Sequence, residues 1–387
     1  MLSKRRTLTL FPAVLLALVG WWWLRNGSDV NPVGTTGTNA GEEERSNQTD
    51  SMADVFQSSG SANDVDRVVT RLFGQLELMK QVHGELEGQK LISEMFEWMN
   101  TVPPETASQA IVEVLDSGED ALAFGRFAPS KDGFLKAYPS FRTALLDQLE
   151  RLDPAEMVRV GISILSSSEN PDEWALSLRA LSKHSTTASD RAFLQGKVDE
   201  LLHKDAWLND PSYSYLHAFD AVVAEGMNAS LARLAELVES SPNKAVTHAA
   251  TVSLDRLFQE HSAMGAAYVS SQPELLSDAT GFRASLMARI DPSDTGAVAS
   301  VEAYLSDASF SSAEKQTFFQ LFPNFNTTFS YNLITESAVP SRTHMRKVSI
   351  AAVDQLSLWA SEGQYSEFED DIRLAMNRLA SAWKLEL

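Results

Sequence analysis

The chain has 387 residues, and its 52 acidic residues outnumber 32 basic ones, which gives a formal net charge of −20. The absence of cysteine excludes disulfides, thiolate zinc sites and cysteine nucleophiles. The negative charge disfavours non-specific binding to nucleic acids and docking on an anionic bilayer, since both need a positive surface.

The first 25 residues predict a membrane segment. Residues 8–24 carry no charge and end in three tryptophans, and Lys4, Arg5, Arg6 and Arg25 flank them. A helix of these 17 residues is roughly 25 Å long, slightly less than the roughly 30 Å hydrocarbon core. A cleaved signal peptide would end in small residues, whereas tryptophans prefer the membrane interface. A retained signal anchor is therefore favoured over a cleaved peptide.

The basic residues at positions 4–6 are expected to stay in the cytoplasm, which sends the rest of the chain to the extracytoplasmic side. Four basic and no acidic residues lie in the first 25 positions, so the exported part has 28 basic against 52 acidic residues, a net −24. The short basic and apolar start and the lack of cysteine favour a bacterial periplasm, with a eukaryotic secretory membrane as the alternative.

Residues 26–63 predict a disordered linker. They are rich in Gly, Ser, Thr, Asn and Glu and contain few large apolar residues. Because little apolar surface can be buried, the entropy lost on ordering would not be offset. A flexible coil of 38 residues spans about 35 Å on average, so the linker would act as a tether.

Residues 64–387 predict an all-α domain. Apolar residues recur at helical spacing, most clearly at Phe368, Ile372, Ala375, Leu379 and Trp383. Five pairs of a capping residue and a proline predict helix starts: Asp153-Pro154, Asn170-Pro171, Asp210-Pro211, Ser241-Pro242 and Asp291-Pro292. The stripes and these starts predict about 16 helices, joined by short turns into antiparallel pairs.

Two segments resemble helices of HEAT-type repeats. They are residues 170–181, NPDEWALSLRAL, and residues 241–250, SPNKAVTHAA, which has alanines where neighbouring helices come close. The resemblance extends over roughly residues 64–387 and implies an α-solenoid, in which stacked helix pairs bury their apolar faces against their neighbours. A compact, irregular helical domain is the alternative.

One segment matches the spacing of a calcium loop. In residues 291–302, DPSDTGAVASVE, the positions of Asp291, Ser293, Thr295 and Glu302 correspond to the first, third, fifth and last ligands of an EF-hand. Pro292 is awkward in such a loop, and hydroxyls replace two of the usual carboxylates or amides. The alternative is that Asp291 and Pro292 start another helix.

Two groups of residues are candidates for partner binding. Arg342, Arg346 and Lys347 form a basic island in an acidic sequence, and Arg342 and Arg346 share a helix face. They would bind an acidic segment of another protein or pair with the carboxylates of this chain. Phe325 and Phe329 belong to an aromatic run that predicts helix packing, with one or two members lining a partner groove.

The sequence contains no catalytic, dinucleotide, phosphate-binding or compact metal motif, so no cofactor is predicted. The architecture predicts a membrane-tethered, extracytoplasmic scaffold that binds another protein and is not an enzyme. A cell-envelope hydrolase with carboxylates from several helices and a calcium-responsive binding module are the alternatives. A deep cleft containing a carboxyl group of raised pKa would favour the hydrolase, and a shallow groove would favour the scaffold.

Overall fold

The computed structural model describes residues 58–226, 228–326, 333–336 and 339–385. Within these residues the regular structure is helical and no β-strand occurs, so the predicted all-α class is confirmed. The α-helices are α1 (Ser58–Met79), α2 (Glu85–Met99), α3 (Pro104–Asp116), α4 (Phe141–Leu152), α5 (Pro154–Ser167), α6 (Pro171–His184), α7 (Ala188–Leu202), α8 (Asp205–Asn209), α9 (Tyr213–Ala218), α10 (Asp220–Ala224), α11 (Leu231–Ser240), α12 (Lys244–Glu260), α13 (Ser262–Ser270), α14 (Thr280–Met287), α15 (Thr295–Ser306), α16 (Ser312–Leu321), α17 (Arg342–Glu362) and α18 (Glu369–Trp383).

The predicted membrane segment, residues 8–24, lies outside the described residues, as do residues 26–57 of the predicted linker. Residues 58–63, the end of that linker, form the start of α1. No helix in the described part of the chain is long and apolar enough to cross a bilayer.

Two of the five predicted helix starts are confirmed. The side chains of Asp153 and Asn170 accept hydrogen bonds from first-turn amides of α5 and α6, and a proline occupies the first helical position in each. The proline has no amide hydrogen, and none is needed there. The pair of residues therefore fixes both the start and the direction of each helix.

The other three predicted starts are displaced towards the C-terminus. The N-cap residues are Ser212 for α9, Asn243 for α12 and Asp294 for α15, each with a side chain that accepts a first-turn amide hydrogen. Each lies one or two positions after the proline of its pair. Because a second capping residue is available, the proline stays in the preceding turn.

The helices pack mainly against partners that are one or two positions away in the chain. The closest pairs are α5 with α6, α1 with α3, α11 with α12, α13 with α15, and α17 with α18. Aromatic side chains fill the space between successive layers; the ring of Trp207 lies 5.3 Å from Trp174 and 5.6 Å from Tyr215, centroid to centroid. One hydrophobic core runs through the described helices from Val65 to Leu379.

Two long segments without a helix of their own are described in part or in full. Arm 1, residues 117–140, joins α3 to α4, and arm 2, described at residues 322–326, 333–336 and 339–341, lies between α16 and α17. The arms meet at Gly133, which has a φ of +84° and lies so close to the Leu333 carbonyl that a side chain there would overlap it. The glycines and prolines of arm 1 explain why no helix forms there.

Arm 1 is fixed to the helices by a buried ion cluster. Nη2 of Arg179 in α6 lies 2.8 Å from Asp147 Oδ1 and 2.6 Å from Glu150 Oε2, and these three side chains are completely buried. Its Nη1 donates to the Gly133 carbonyl at 2.7 Å. The Tyr138 hydroxyl donates to Asp147 at 3.0 Å. The cluster therefore supplies hydrogen-bond partners to buried polar groups of both the helices and the arm.

Arm 2 is fixed in the same way by Asp220, whose residue is 1% exposed. Its carboxylate accepts hydrogen bonds from the backbone amides of Ile334 at 2.6 Å and Thr335 at 2.8 Å. The Arg256 guanidinium lies 2.7 Å from the same carboxylate. Residues more than a hundred positions apart are thereby joined through one side chain.

Candidate functional site

The first three turns of α17 and the end of α18 form an open groove of about 710 Å³ that we call the basic groove. Basic and apolar side chains line it. They are Arg342, Thr343, Arg346, Lys347 and Ile350 of α17, with Ala382, Trp383 and Lys384 at the end of α18. The structure thus brings together the three basic residues that the sequence singles out.

The two helix ends determine how these side chains are presented. Ser341 caps α17, because its hydroxyl accepts the His344 amide hydrogen at 3.1 Å. Lys384 ends α18 in the left-handed conformation, with a φ of 55°. Between them, the guanidinium of Arg342 lies 5.9 Å from the centre of the Trp383 ring, a cation–π distance. The groove therefore has cations over a half-buried aromatic wall.

The four cations of the groove are exposed, and in the described part of the chain none of them forms an ion pair. By contrast, Arg373, which lies on α18 outside the groove, pairs with Glu369 at 2.6 Å. α17 has no acidic residue in its first turn, where negative charge would suit the helix dipole. Arg342 and Arg346 repel each other as like charges at i and i+4. This arrangement lowers stability unless an anionic group binds.

A second cavity, of about 440 Å³, lies on the other side of the α17 start. Phe325 and His344 line this cavity and not the basic groove, together with Glu260 and Glu336. Glu260 is exposed at the end of α12, and partial desolvation of its carboxyl group raises the pKa of that group. Phe329 lies outside the described residues.

The residues of the candidate calcium loop have other roles. Asp291 Oδ1 accepts from the amide and hydroxyl of Ser293 at 2.9 and 2.7 Å. Thr295 is the first residue of α15, and Asp294 caps it. Glu302 accepts the indole hydrogen of Trp359 at 2.9 Å. Within the described residues no group of three or more acidic or histidine side chains is placed to hold a metal ion.

Five residues of the basic groove are missed by sequence reasoning: Thr343, Ile350, Ala382, Trp383 and Lys384. Trp383 reads as the last member of the apolar stripe of α18, and Lys384 and Ile350 have no distinguishing pattern. The available signal is that Trp383 ends its stripe and is followed directly by a lysine. Packing of α17 against α18 brings Trp383 and Lys384 to the three cations, whereas Ile350 lies one turn after Arg346 on α17 itself.

Comparison with known proteins gives no match: no family model, no curated protein and no solved structure is similar to this chain. The resemblance to HEAT-type repeats stays a prediction. The geometry and charge of the basic groove and of the second cavity are therefore the features that bear on function.

Proposed function

We propose that this chain is a membrane-tethered, extracytoplasmic scaffold that binds another protein through the basic groove. The observation that carries the proposal is a cluster of exposed, unpaired cations on a chain with a net charge of −20. Surface carboxylates are abundant enough to neutralise it, yet none in the described residues does. Complementary charge accelerates the encounter of partners and orients them.

The lining of the groove favours a protein as the bound partner. Nucleic acid is disfavoured because the acidic remainder of the chain repels phosphates. Trp383 adds an aromatic surface next to Arg342, and tryptophan and arginine are enriched among the residues that dominate protein interfaces. The groove is open and contains exposed side chains, unlike an enclosed small-molecule site.

We further propose that the helices form an α-solenoid of antiparallel pairs that resembles HEAT-type repeats. The support is the order of packing, because the strongest helix contacts join neighbours or next neighbours in the chain. Such near-neighbour burial is the physical basis of repeat folds. The basic groove then belongs to α17 and α18, the last helix pair among the described residues.

The same proposal places residues 8–24 in the membrane with the N-terminus in the cytoplasm, preferably in a bacterial envelope. A flexible linker of the predicted length would hold the helical domain at an average distance of about 35 Å from the membrane. The basic groove would then meet partners that are themselves in the membrane or the periplasm. A tether raises the effective concentration of such partners.

Site-specific photocrosslinking tests the proposal. A photoreactive residue at Thr343, an exposed position in the groove, is expected to capture one or two proteins in cells that express the full-length chain. The double substitution Arg346→Glu and Lys347→Glu is expected to abolish capture. It should also leave the melting temperature unchanged or raise it, because it relieves about 0.2–0.5 kcal/mol of like-charge repulsion.

A photoreactive residue at Glu105, exposed at the start of α3, serves as the matched control. The proposal is contradicted if Thr343 captures no protein, or if the charge-reversed variant captures the same proteins with the same yield. Because the melting temperature is measured in parallel, a loss of capture cannot be attributed to unfolding.

The second cavity favours a different candidate function, a cell-envelope hydrolase. Its Glu260 carboxyl group has a raised pKa, as a general acid requires, and Glu336 lines the same cavity. Under this proposal, Glu260 donates a proton to the leaving group and Glu336 assists a water molecule.

Release of reducing sugar from peptidoglycan and other polysaccharides tests the hydrolase candidate. The purified full-length protein should be active, and Glu260→Gln should lose activity by a factor of about 10² or more. Glu239→Gln, at a carboxylate outside the cavity, should retain full activity. Activity that is absent, or equal in both variants, contradicts this candidate and leaves the scaffold proposal intact.

A further inference from the structure

We infer that the basic groove binds an extended acidic segment of the partner, with two carboxylates on alternate residues and an apolar side chain two residues beyond them. This inference rests on the proposed scaffold function and specifies the chemistry that the groove recognises. It follows from the spacing of the cations and from the position of Trp383 and Ile350, which we call the apolar wall.

The spacing of the arginines sets the spacing of the carboxylates. Arg342 and Arg346 lie one helical turn apart on the same face, so their Cβ atoms are separated by about 5–6 Å. Alternate residues of an extended chain point to the same side and are about 6.6 Å apart. Two such carboxylates can therefore each accept hydrogen bonds from one guanidinium, the geometry in which arginine binds carboxylates most strongly.

The apolar wall selects the third side chain. Trp383 and Ile350 are half-buried and line the same groove as the two arginines. Trp383 lies beside Arg342, and Ile350 lies one helical turn after Arg346. A third side chain on the same face of an extended segment lies about 6.6 Å beyond the second carboxylate, and it would leave water by packing on whichever of these two residues lies at that end. A phenylalanine or leucine there removes apolar surface from water on both partners.

The two lysines extend the positive surface without adding a second directional site. Lys347 is exposed on α17, and Lys384 follows the last turn of α18. Flexible lysines attract further acidic residues as point charges. An acidic protein segment is narrow enough to contact these groups alone, whereas an anionic bilayer would also face the rest of a chain with a net charge of −20.

Fluorescence anisotropy with a defined peptide tests the inference. The probe is a fluorescein-labelled, C-terminally amidated peptide in which two glutamates and a phenylalanine alternate with serines, titrated with the full-length protein in detergent micelles. Replacing both glutamates with glutamine is expected to weaken binding at least tenfold, and so is the double substitution Arg342→Gln and Arg346→Gln in the protein. Trp383→Leu should weaken it about fivefold and make replacement of the phenylalanine by alanine nearly neutral.

The matched control is Arg373→Gln. It removes an exposed arginine of α18 that lies outside the groove, and it should leave binding unchanged. Equal binding of the glutamine peptide overturns the inference. So does binding of phosphatidylglycerol vesicles that depends on Arg342 and Arg346 while the peptide does not bind.

The photocrosslinking experiment separates this inference from the function on which it rests. A protein captured at Thr343 together with no binding of the peptide supports the scaffold and overturns the acidic segment. Peptide binding that depends on the arginines supports the groove chemistry. If no protein is captured at Thr343 in the same chain, the scaffold proposal is contradicted while the groove chemistry stands. Failure of both experiments overturns both proposals.

Discussion

Replacement of Arg179 with methionine is expected to lower the free energy of unfolding by about 3–5 kcal/mol. The guanidinium is completely buried between Asp147 and Glu150, whose side chains are also completely buried. Methionine fills much of the same volume but leaves two carboxylates in a medium of low polarity without their main cation. Loss of the guanidinium also deprives the Gly133 carbonyl of a hydrogen-bond donor.

Urea denaturation of the detergent-solubilised full-length protein, followed by circular dichroism, measures this effect. The matched control is Arg159→Met, which removes an exposed arginine that pairs with Glu156 three residues earlier. Its expected effect is below about 1 kcal/mol, as for other exposed pairs. Equal losses in the two variants would contradict a structural role for the buried cluster.

A triple variant distinguishes the stability contributed by the buried ion pairs from the cost of burying carboxylates without a cation. Adding Asp147→Asn and Glu150→Gln to Arg179→Met removes the buried negative charges together with the cation. Part of the lost stability should return, because most of the effect of the single substitution comes from the carboxylates left behind. If the triple variant is less stable than the single one, the carboxylates are held by other partners.

The helical class and many helix positions follow from local sequence, because the periodicity and caps that form a helix lie within it. The stripe from Ile372 to Leu379 is buried as predicted. The pair at Asp291 shows the limit of this reasoning: a local rule finds one suitable N-cap, but Asp294 lies nearby and forms hydrogen bonds to two first-turn amides. Local chemistry therefore positions a helix start only to within a few residues.

The buried ion pairs could not be predicted, since a carboxylate on a helix looks the same in sequence whether it is solvated or paired. Arg283 and Glu314, for example, form two contacts of 2.7 Å across 31 positions. The basic groove shows the same difference between local and long-range contacts. Its three cations on α17 are neighbours in sequence and are predicted from it, whereas Trp383 and Lys384 join them only through packing of two helices.

The substitution Asp220→Asn is expected to lower the free energy of unfolding by about 2–4 kcal/mol and to loosen arm 2. The carboxylate accepts hydrogens from Ile334 and Thr335 and pairs with Arg256. The asparagine amide group has nearly the same shape, but it replaces one acceptor oxygen with a donor. One backbone amide of the arm then faces another donor in place of an acceptor.

Amide hydrogen exchange measures the local part of this effect. Exchange at Ile334 and Thr335 should accelerate by more than the global loss of stability explains, because these amides lose their acceptor directly. Asp354→Asn, at an exposed carboxylate on α17, is the control and should change neither exchange nor stability. If exchange accelerates only in step with global unfolding, then the arm and the helices form one cooperative unit. Faster exchange confined to the arm means that it opens separately, and that Asp220 is the contact that holds it closed.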